Sequence, residues 1–362
     1  MLHSYLFPIS YAFFTFPIAA AFFTVPFLIV QYRRHGYIHK YRALILYLLL
    51  LYLMNAVYLI LLPLPSSFHN SPPKANSYFQ WIPFNFLSDI ARETAVRANE
   101  PSTYWHLLKE RAFLQVAFNV ALTVPFGLFL RYYFRANWVR CLAFSFALSL
   151  FFEVTQVTGI YGIYDYPYRL FDVDDLITNT LGGLIGYLAA EWLASHLPRI
   201  DKLDESVDLS AKRVTYTRRA LAAAIDWLIL LPAGAILAIL RIPFPYAYTL
   251  LIAVYFMAIP YSTNGLTPGK WVVRIRLRGR DERIRAGELF VRYGLLYLIV
   301  AGLNLAYPAV AVRQFPPVLL IPYAVGLFAM DATFAVHLVR CVFNRKRRLF
   351  YEARSGTGHV IT

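Results

Sequence analysis

Charged residues and cysteines are scarce in this sequence. Asp, Glu, Lys and Arg make up 15% of its 362 residues, whereas 59% are hydrophobic. Soluble domains carry roughly 25% charged residues, so the composition excludes an ordinary soluble globule. The two cysteines, Cys141 and Cys341, fall near the membrane face that the charge distribution assigns to the cytoplasm. Neither a disulfide nor a cysteine-based metal site is expected there.

Long apolar runs recur along the chain, and each can cross a hydrocarbon core of roughly 30 Å as a helix. An open strand edge has no backbone partner in lipid, so helices are expected. The sequence therefore predicts an all-α, polytopic membrane bundle of about nine transmembrane helices, at 8–30, 43–62, 112–133, 138–159, 175–196, 220–240, 246–263, 289–312 and 317–342. The first run has no Lys or Arg before it, which favours a retained span over a cleaved signal peptide.

The net charge of +15 is unevenly distributed. In the nine-span arrangement most Lys and Arg residues fall in alternate loops and in the C-terminal tail, all on one side. Positive loops stay in the cytoplasm, so the N-terminus is predicted outside and the C-terminus inside. Topology and attraction to anionic membrane lipids account for the charge, and no nucleic-acid partner is expected.

The most polar stretch between spans, 197–219, divides the chain. We predict a five-helix membrane domain at 1–196, a cytoplasmic linker at 197–216 and a four-helix membrane domain at 217–362. In the second domain, "WVVRIRLR" (271–278) alternates apolar and basic residues. This pattern predicts a short cytoplasmic basic hairpin.

Three spans of the N-terminal half carry polar residues every three or four positions. Such residues share one helix face, and we expect the three faces to meet one another rather than lipid. The predicted topology places their strongest polar groups near the outer leaflet. The polar residues are Gln115, Asn119 and Thr123, then Ser145, Ser149, Glu153 and Gln156, then Asp175 and Asn179.

The segment "RLFDVDD" (169–175) places an arginine and three carboxylates at the start of the fifth span. One carboxylate is expected to cap that helix, where anions accept backbone N–H bonds. Glu153 lies inside a span, where an ionisable group costs roughly 2.5 kcal/mol or more unless it is paired or wetted. Its expected partners are Arg169, or Gln156 and Asn119 if the acid is neutral.

The N-terminal half resembles the VanZ-like family of bacterial membrane proteins over about 40–196. "WIPFN" (81–85), "FNVALTVPFG" (118–127), "EVTQ" (153–156) and "YRLFDVDDLITNTLGGLIGY" (168–187) carry the resemblance. It implies a link to teicoplanin resistance and action at the cell envelope. One departure is Tyr168, where many members have Gly.

These observations predict an outward-facing ligand site. Its expected residues are Asn119, Glu153, Gln156, Arg169, Asp172, Asp174, Asp175 and Asn179. A lipid-linked cell-wall intermediate or a glycopeptide is the expected ligand, by resemblance. The alternative is a membrane enzyme acting on a lipid-linked substrate, with Mg²⁺ activating water. Its metal ligands would come from Glu153, Asp172, Asp174 and Asp175.

The C-terminal half resembles an RDD-family membrane domain over about 213–361. Arg219 and Asp226, "GLTPGK" (265–270), Arg292 and "RRLFYEARSGTGHV" (347–360) carry this resemblance. The family's usual His-Asp pair stands here as Tyr351-Glu352. The resemblance implies that Arg219, Asp226 and Glu352 are its polar motif residues.

Intramembrane acids in this half open a further alternative. Asp226 is expected in an ion pair or a wet cavity, and Asp331 beside Arg292 or Arg340. A transporter using Asp226 and Asp331 is therefore a third hypothesis. The leading prediction remains a multi-pass protein of the bacterial cytoplasmic membrane that binds an envelope ligand.

Overall fold

The structure is a computed structural model of the full chain. It describes residues 2–73, 77–97, 99–205, 207–209, 212–312, 316–344 and 347–362, with side chains except at 2–5, 309–312 and 317. The chain forms two compact units, which are described separately. Unit 1 comprises 1–23 and 39–206, and unit 2 comprises 24–38 and 207–362. Residues 206, 210 and 211 of the predicted linker lie outside the described residues.

The elements up to residue 206 are mainly long helices joined by short irregular segments. A 3₁₀ helix, Pro101–Lys109, precedes α4, and another, Ile200–Asp204, follows α7. The C-terminal part of α1 belongs to unit 2. The elements are α1 (Leu2–His35), α2 (Lys40–Leu61), β1 (Phe79–Gln80), α3 (Asn85–Glu93), α4 (Arg111–Tyr132), α5 (Trp138–Val157), α6 (Gly159–Gly162), β2 (Phe171–Asp172) and α7 (Val173–Leu193).

Unit 2 continues with helices in which two π-helical stretches occur. Ile252–Ala258 joins α9 to α10, and Gly294–Ala301 joins α12 to α13. The elements are α8 (Tyr216–Ile239), α9 (Phe244–Leu251), α10 (Ile259–Ser262), α11 (Pro268–Val272), β3 (Ile275–Arg278), α12 (Ala286–Tyr293), α13 (Gly302–Val312), α14 (Pro317–Phe343), α15 (Phe350–Ser355) and β4 (Gly358–Ile361).

The prediction of a polytopic helical membrane protein is confirmed. Among the described residues, eight helices are long and apolar enough to cross a membrane, where nine were predicted. The exception is α7, which has the necessary length but is not among the eight. Its interior carries the buried polar residues Thr178 and Asn179, which reduce its hydropathy.

Glycines allow α7 to pack closely on α4. A Cβ at Gly186 would lie 2.0 Å from the carbonyl oxygen of Val124, and a Cβ at Gly182 would lie 2.1 Å from that of Val120. Small residues let helix backbones approach in this way. The four-residue spacing of Gly182 and Gly186 therefore serves packing of this helix. Because α7 contacts protein on this face, the face does not need a lipid-compatible surface.

The basic segment of unit 2 pairs with a distant strand. β3 is antiparallel to β4, from Ile275 opposite Ile361 to Arg278 opposite Gly358. The prediction of a local hairpin is therefore wrong, because the strand pairs with β4 near the C-terminus and not with a neighbouring strand. In addition, Trp271 and Val272 lie in α11 rather than in the strand. The carbonyl of Gly265, at φ +93°, accepts the N–H of Leu277, so the segment before the strand forms a turn against it.

Candidate ligand-binding site

Asp172 caps the helix that follows the acidic segment. Its backbone is extended, and its carboxylate accepts the N–H of Asp174 at 2.8 Å. The expectation that one carboxylate of "RLFDVDD" caps this helix is confirmed. Burial raises the pKa of Asp172, as do the nearby carboxylates of Asp174 and Asp89, against the opposing effect of the Asp174 N–H.

Asp174 has a different role, which the sequence did not predict. Its side chain is buried, and its two oxygens accept the backbone N–H groups of Phe84 at 2.6 Å and Phe86 at 2.9 Å. Phe84 precedes α3 in a left-handed conformation, with φ 62°, and provides no side-chain cap. Asp174 therefore caps α3 from another part of the chain. The sequence signal that could have indicated this contact is that "WIPFN", which contains Phe84, and "RLFDVDD", which contains Asp174, both carry the VanZ-like resemblance.

This contact lies beside an exposed aromatic surface. β1 pairs in parallel with β2, which brings the ring of Phe79 within 5.7 Å of Phe171 and that of Trp81 within 5.3 Å of Phe171. Phe79 and Trp81 stack on each other at 5.2 Å. We call Phe79, Trp81 and Phe171 the aromatic platform. The indole of Trp81 is exposed, so the platform is open on that side.

Glu153 and Gln156 contact other elements than those expected. Glu153 is 2% exposed, and its carboxylate accepts the backbone N–H of Asp172 at 2.9 Å. The amide of Gln156 donates to the carbonyl of Ile60 in α2 at 2.8 Å. In place of a hydrogen bond to Arg169, Gln156 or Asn119, Glu153 thus contacts a backbone N–H, and Arg169 acts on it only electrostatically.

The three polar stripes meet, as predicted. Asn119 donates to the Asp175 carboxylate at 2.5 Å, and Asn179 donates to the Ser149 hydroxyl at 3.0 Å. Thr123 donates to the carbonyl of Asn179 at 2.5 Å. These bonds connect α4, α5 and α7. Within the part of the chain that the structure describes, the buried Oδ1 of Asn179 has no hydrogen-bond partner.

Arg169 remains exposed beside this network. It interacts electrostatically with the carboxylates of Glu153 and Asp175, but no ion pair within 4 Å joins it to any described acid. Over the described ranges, no three or more His, Cys, Asp or Glu side chains are grouped so as to hold a metal ion. The Mg²⁺ site stays a prediction.

A second polar cluster lies in unit 2. One oxygen of Glu352 accepts hydrogen bonds from Arg219 at 2.5 Å and from Arg292 at 3.1 Å. Burial alone would raise the pKa of Glu352, but the neighbouring His359 and the two guanidinium groups lower it to about 2. Arg292 also donates to Thr357 at 2.8 Å. The acid that replaces the family's usual aspartate is thus ionised and paired.

Asp226 is 1% exposed and is held by neutral donors. The hydroxyls of Tyr255 and Thr267 donate to it at 2.9 and 2.7 Å, and the N–H of Gly269 donates at 2.7 Å. It also lines a cavity together with Arg219. Of the two expected environments, the structure shows the cavity rather than an ion pair.

Two further expectations of this half are revised. Asp331 accepts a hydrogen bond from Asn304 at 2.9 Å instead of pairing with Arg292 or Arg340. Arg218, which sequence reasoning missed, is 2% exposed and donates to the carbonyls of Gly36, Val273 and Arg274. The sequence signal for Arg218 was its place in an arginine pair, Arg218-Arg219, at the start of a span. Only Arg219 was predicted to be a functional residue.

Comparison with known families agrees with the two units. Residues 49–194 match the VanZ/LLP1 family, and residues 213–351 match the RDD family. Both predicted resemblances are confirmed. No curated protein and no solved structure is significantly similar to this chain.

Proposed function

Because this chain is a multi-pass membrane protein that joins a VanZ-like part to an RDD-family part, we propose that its first half binds an envelope ligand and lowers susceptibility to glycopeptide antibiotics. The protein would act in the bacterial cytoplasmic membrane, with the acidic end of α7 facing outward. Teicoplanin is the antibiotic to test first.

One observation supports this proposal most directly: the aromatic platform includes Phe171, which lies in sequence between an exposed cation and a half-buried carboxyl group. Arg169 is two residues before Phe171 and has no ion pair within 4 Å among the described residues. Asp175 is half-buried, and its described partner is the neutral amide of Asn119. An exposed cation and a half-buried carboxyl group thus lie close in sequence to the aromatic platform, whose Trp81 ring is exposed.

This combination suits an amphiphilic ligand. Aromatic or acyl groups would pack on the platform, an acid of the ligand would pair with Arg169, and an amine would donate to Asp175. A glycopeptide and a lipid-linked cell-wall intermediate both carry polar and apolar parts. Binding either one would keep the antibiotic from its target or alter the amount of target exposed.

Asp174 and Asp172 are not expected to contact the ligand. Their carboxylates already accept backbone N–H groups and hold the platform segment and α7 in position. Loss of activity on changing Asp174 would therefore report on folding. Arg169 and Trp81 are better probes, since both are exposed.

The test compares Arg169→Gln and Trp81→Ala with two controls in cells challenged with teicoplanin. Arg92→Gln removes another exposed arginine on the same predicted side, and Trp192→Ala removes an exposed indole at the opposite end of α7. Protein abundance is measured for each variant. We expect protection to fall for the first pair only. Equal protection by all four variants at equal abundance would show that this site does not carry the function.

A further inference from the structure

The cavity in unit 2 has an excess of positive charge. Its volume is about 80 Å³, enough for several water molecules or one small polar group. Three cationic side chains line it, together with one acid, two phenols and one imidazole. These residues are Arg219, Lys270, Arg292, Asp226, Tyr297, Tyr351 and His359.

The charges around this cavity do not balance. Glu352 is shared by Arg219 and Arg292, and Asp226 is the other carboxylate at the cavity. Three cations therefore face two carboxylates. Burying an unbalanced charge in a low-dielectric interior is costly, so a single negative charge from outside the described chain would stabilise the site.

Lys270 is the cation at this cavity that lacks a nearby carboxylate among the described residues. The side chain is 5% exposed, and its ammonium donates to the neutral hydroxyls of Thr267 at 3.2 Å and Tyr293 at 3.1 Å. No carboxylate lies within 4 Å of it among the described residues. One of its three N–H groups is left for a ligand.

His359 provides a second, independent indication. Its side chain is 8% exposed and lines the same cavity. Its Nδ1 lies 3.5 Å from Glu352 and has no hydrogen-bond partner within the described parts of the chain. An oxyanion in the cavity would accept from both the ammonium of Lys270 and this ring.

We propose that this cavity binds a singly charged phosphate group, as carried by the phosphodiester of an anionic phospholipid. Arg219 lies in the first turn of α8, and Lys270 lies in α11, between two membrane-spanning segments. Arg219 is thus at the end of a span and Lys270 in the connection between two spans, and basic pockets between helices near the membrane surface bind lipid headgroups.

The experiment uses delipidated full-length protein in a neutral detergent. Thermal stabilisation and native mass spectrometry are measured with short-chain phosphatidylglycerol, with inorganic phosphate and with chloride. Lys270→Gln keeps a hydrogen-bond donor but removes the charge, and Lys270→Arg restores the charge. The control, Arg278→Gln, removes an exposed cation of the same unit.

We expect wild type, Lys270→Arg and the control to bind phosphatidylglycerol alike, and Lys270→Gln to bind it about tenfold more weakly, the loss of one charge-assisted hydrogen bond. Binding of inorganic phosphate with the same Lys270 dependence, without phosphatidylglycerol binding, supports the phosphate site and identifies free phosphate as the source. Equal binding by Lys270→Gln, or stabilisation by chloride as strong as by phosphate, overturns the proposal.

Discussion

The carboxylate of Asp174 accepts the backbone N–H of Phe84 at 2.6 Å, across ninety positions of sequence. With the second bond to Phe86, this contact holds the start of α3 and the adjoining aromatic segment against α7. A residue that local rules assign to a helix cap therefore caps a different helix.

Replacing Asp174 by Ala should destabilise unit 1 and release the segment around Phe84. Two N–H groups in part-buried contacts lose their acceptor, and we expect a total loss of about 1–3 kcal/mol. Unfolding temperature in detergent and proteolysis within 81–93 are the measurements. Asp165→Ala is the control, because its ion pair with His69 is exposed and such pairs contribute about 0–1 kcal/mol. Unchanged proteolysis of the Asp174 variant would contradict the capping role.

Gly186→Ala should be destabilising even though alanine favours helices. The added Cβ would meet the carbonyl of Val124 at 2.0 Å, so α4 and α7 must separate, at about 1–3 kcal/mol. Gly326→Ala in α14 is the matched control, since a Cβ at that position would meet no atom within 4 Å and alanine is preferred there by about 1 kcal/mol. Equal unfolding temperatures for the two variants would mean that the close approach of α4 and α7 is not limiting.

Tyr168→Phe should be neutral or stabilising. Burial raises the pKa of the Tyr168 phenol to about 12, and its buried hydroxyl has no hydrogen-bond partner within the described chain. Removing an unsatisfied polar group removes a desolvation cost of about 1 kcal/mol or more. Tyr52→Phe is the comparison: its hydroxyl donates to the carbonyl of Leu122 at 2.8 Å, and we expect it to lose about 1 kcal/mol. Chemical unfolding of both variants distinguishes the two cases.

Unit 2 should lose stability as the pH falls. The folded pKa of Glu352 is about 2, below its unfolded value of about 4.3, so its contribution is complete above pH 4.3 and is lost as the pH falls toward 2. Burial also lowers the pKa of His359 well below 6.5. Its contribution is likewise complete above pH 6.5 and decreases below that.

Substitutions separate these two contributions. His359→Gln should reduce the pH dependence of the free energy of unfolding from pH 6.5 downward. Glu352→Gln should reduce it below about pH 4.3. Glu352→Gln should also reduce stability at neutral pH, because it leaves Arg219 and Arg292 without their shared counter-charge. An acid-unfolding curve of Glu352→Gln parallel to that of wild type would contradict the assignment.

The helical membrane class and the polar helix faces of this protein could be predicted from the sequence. Hydropathy predicted the helical membrane class, and helical spacing predicted that Asn119, Ser149 and Asn179 share one interior. These features depend on contacts within a helix or on transfer of a segment into lipid. Both are local properties, so the sequence carries them directly.

The hydrogen-bond partners of the side chains and the pairing of the strands depend on the tertiary structure. Asp174 could be seen as a carboxylate at a helix start, but its bonds to Phe84 and Phe86 require the outer segment to fold back onto α7. The pairing of β3 with β4 likewise joins residues eighty or more positions apart. By itself the sequence determined the helices, their polar faces and the excess of positive charge. Tertiary structure alone decided which carboxylates accept backbone N–H groups. It also decided that Arg169 and Lys270 have no ion pair within 4 Å among the described residues. The reason is that contacts of a few ångströms depend on how distant segments of the chain pack.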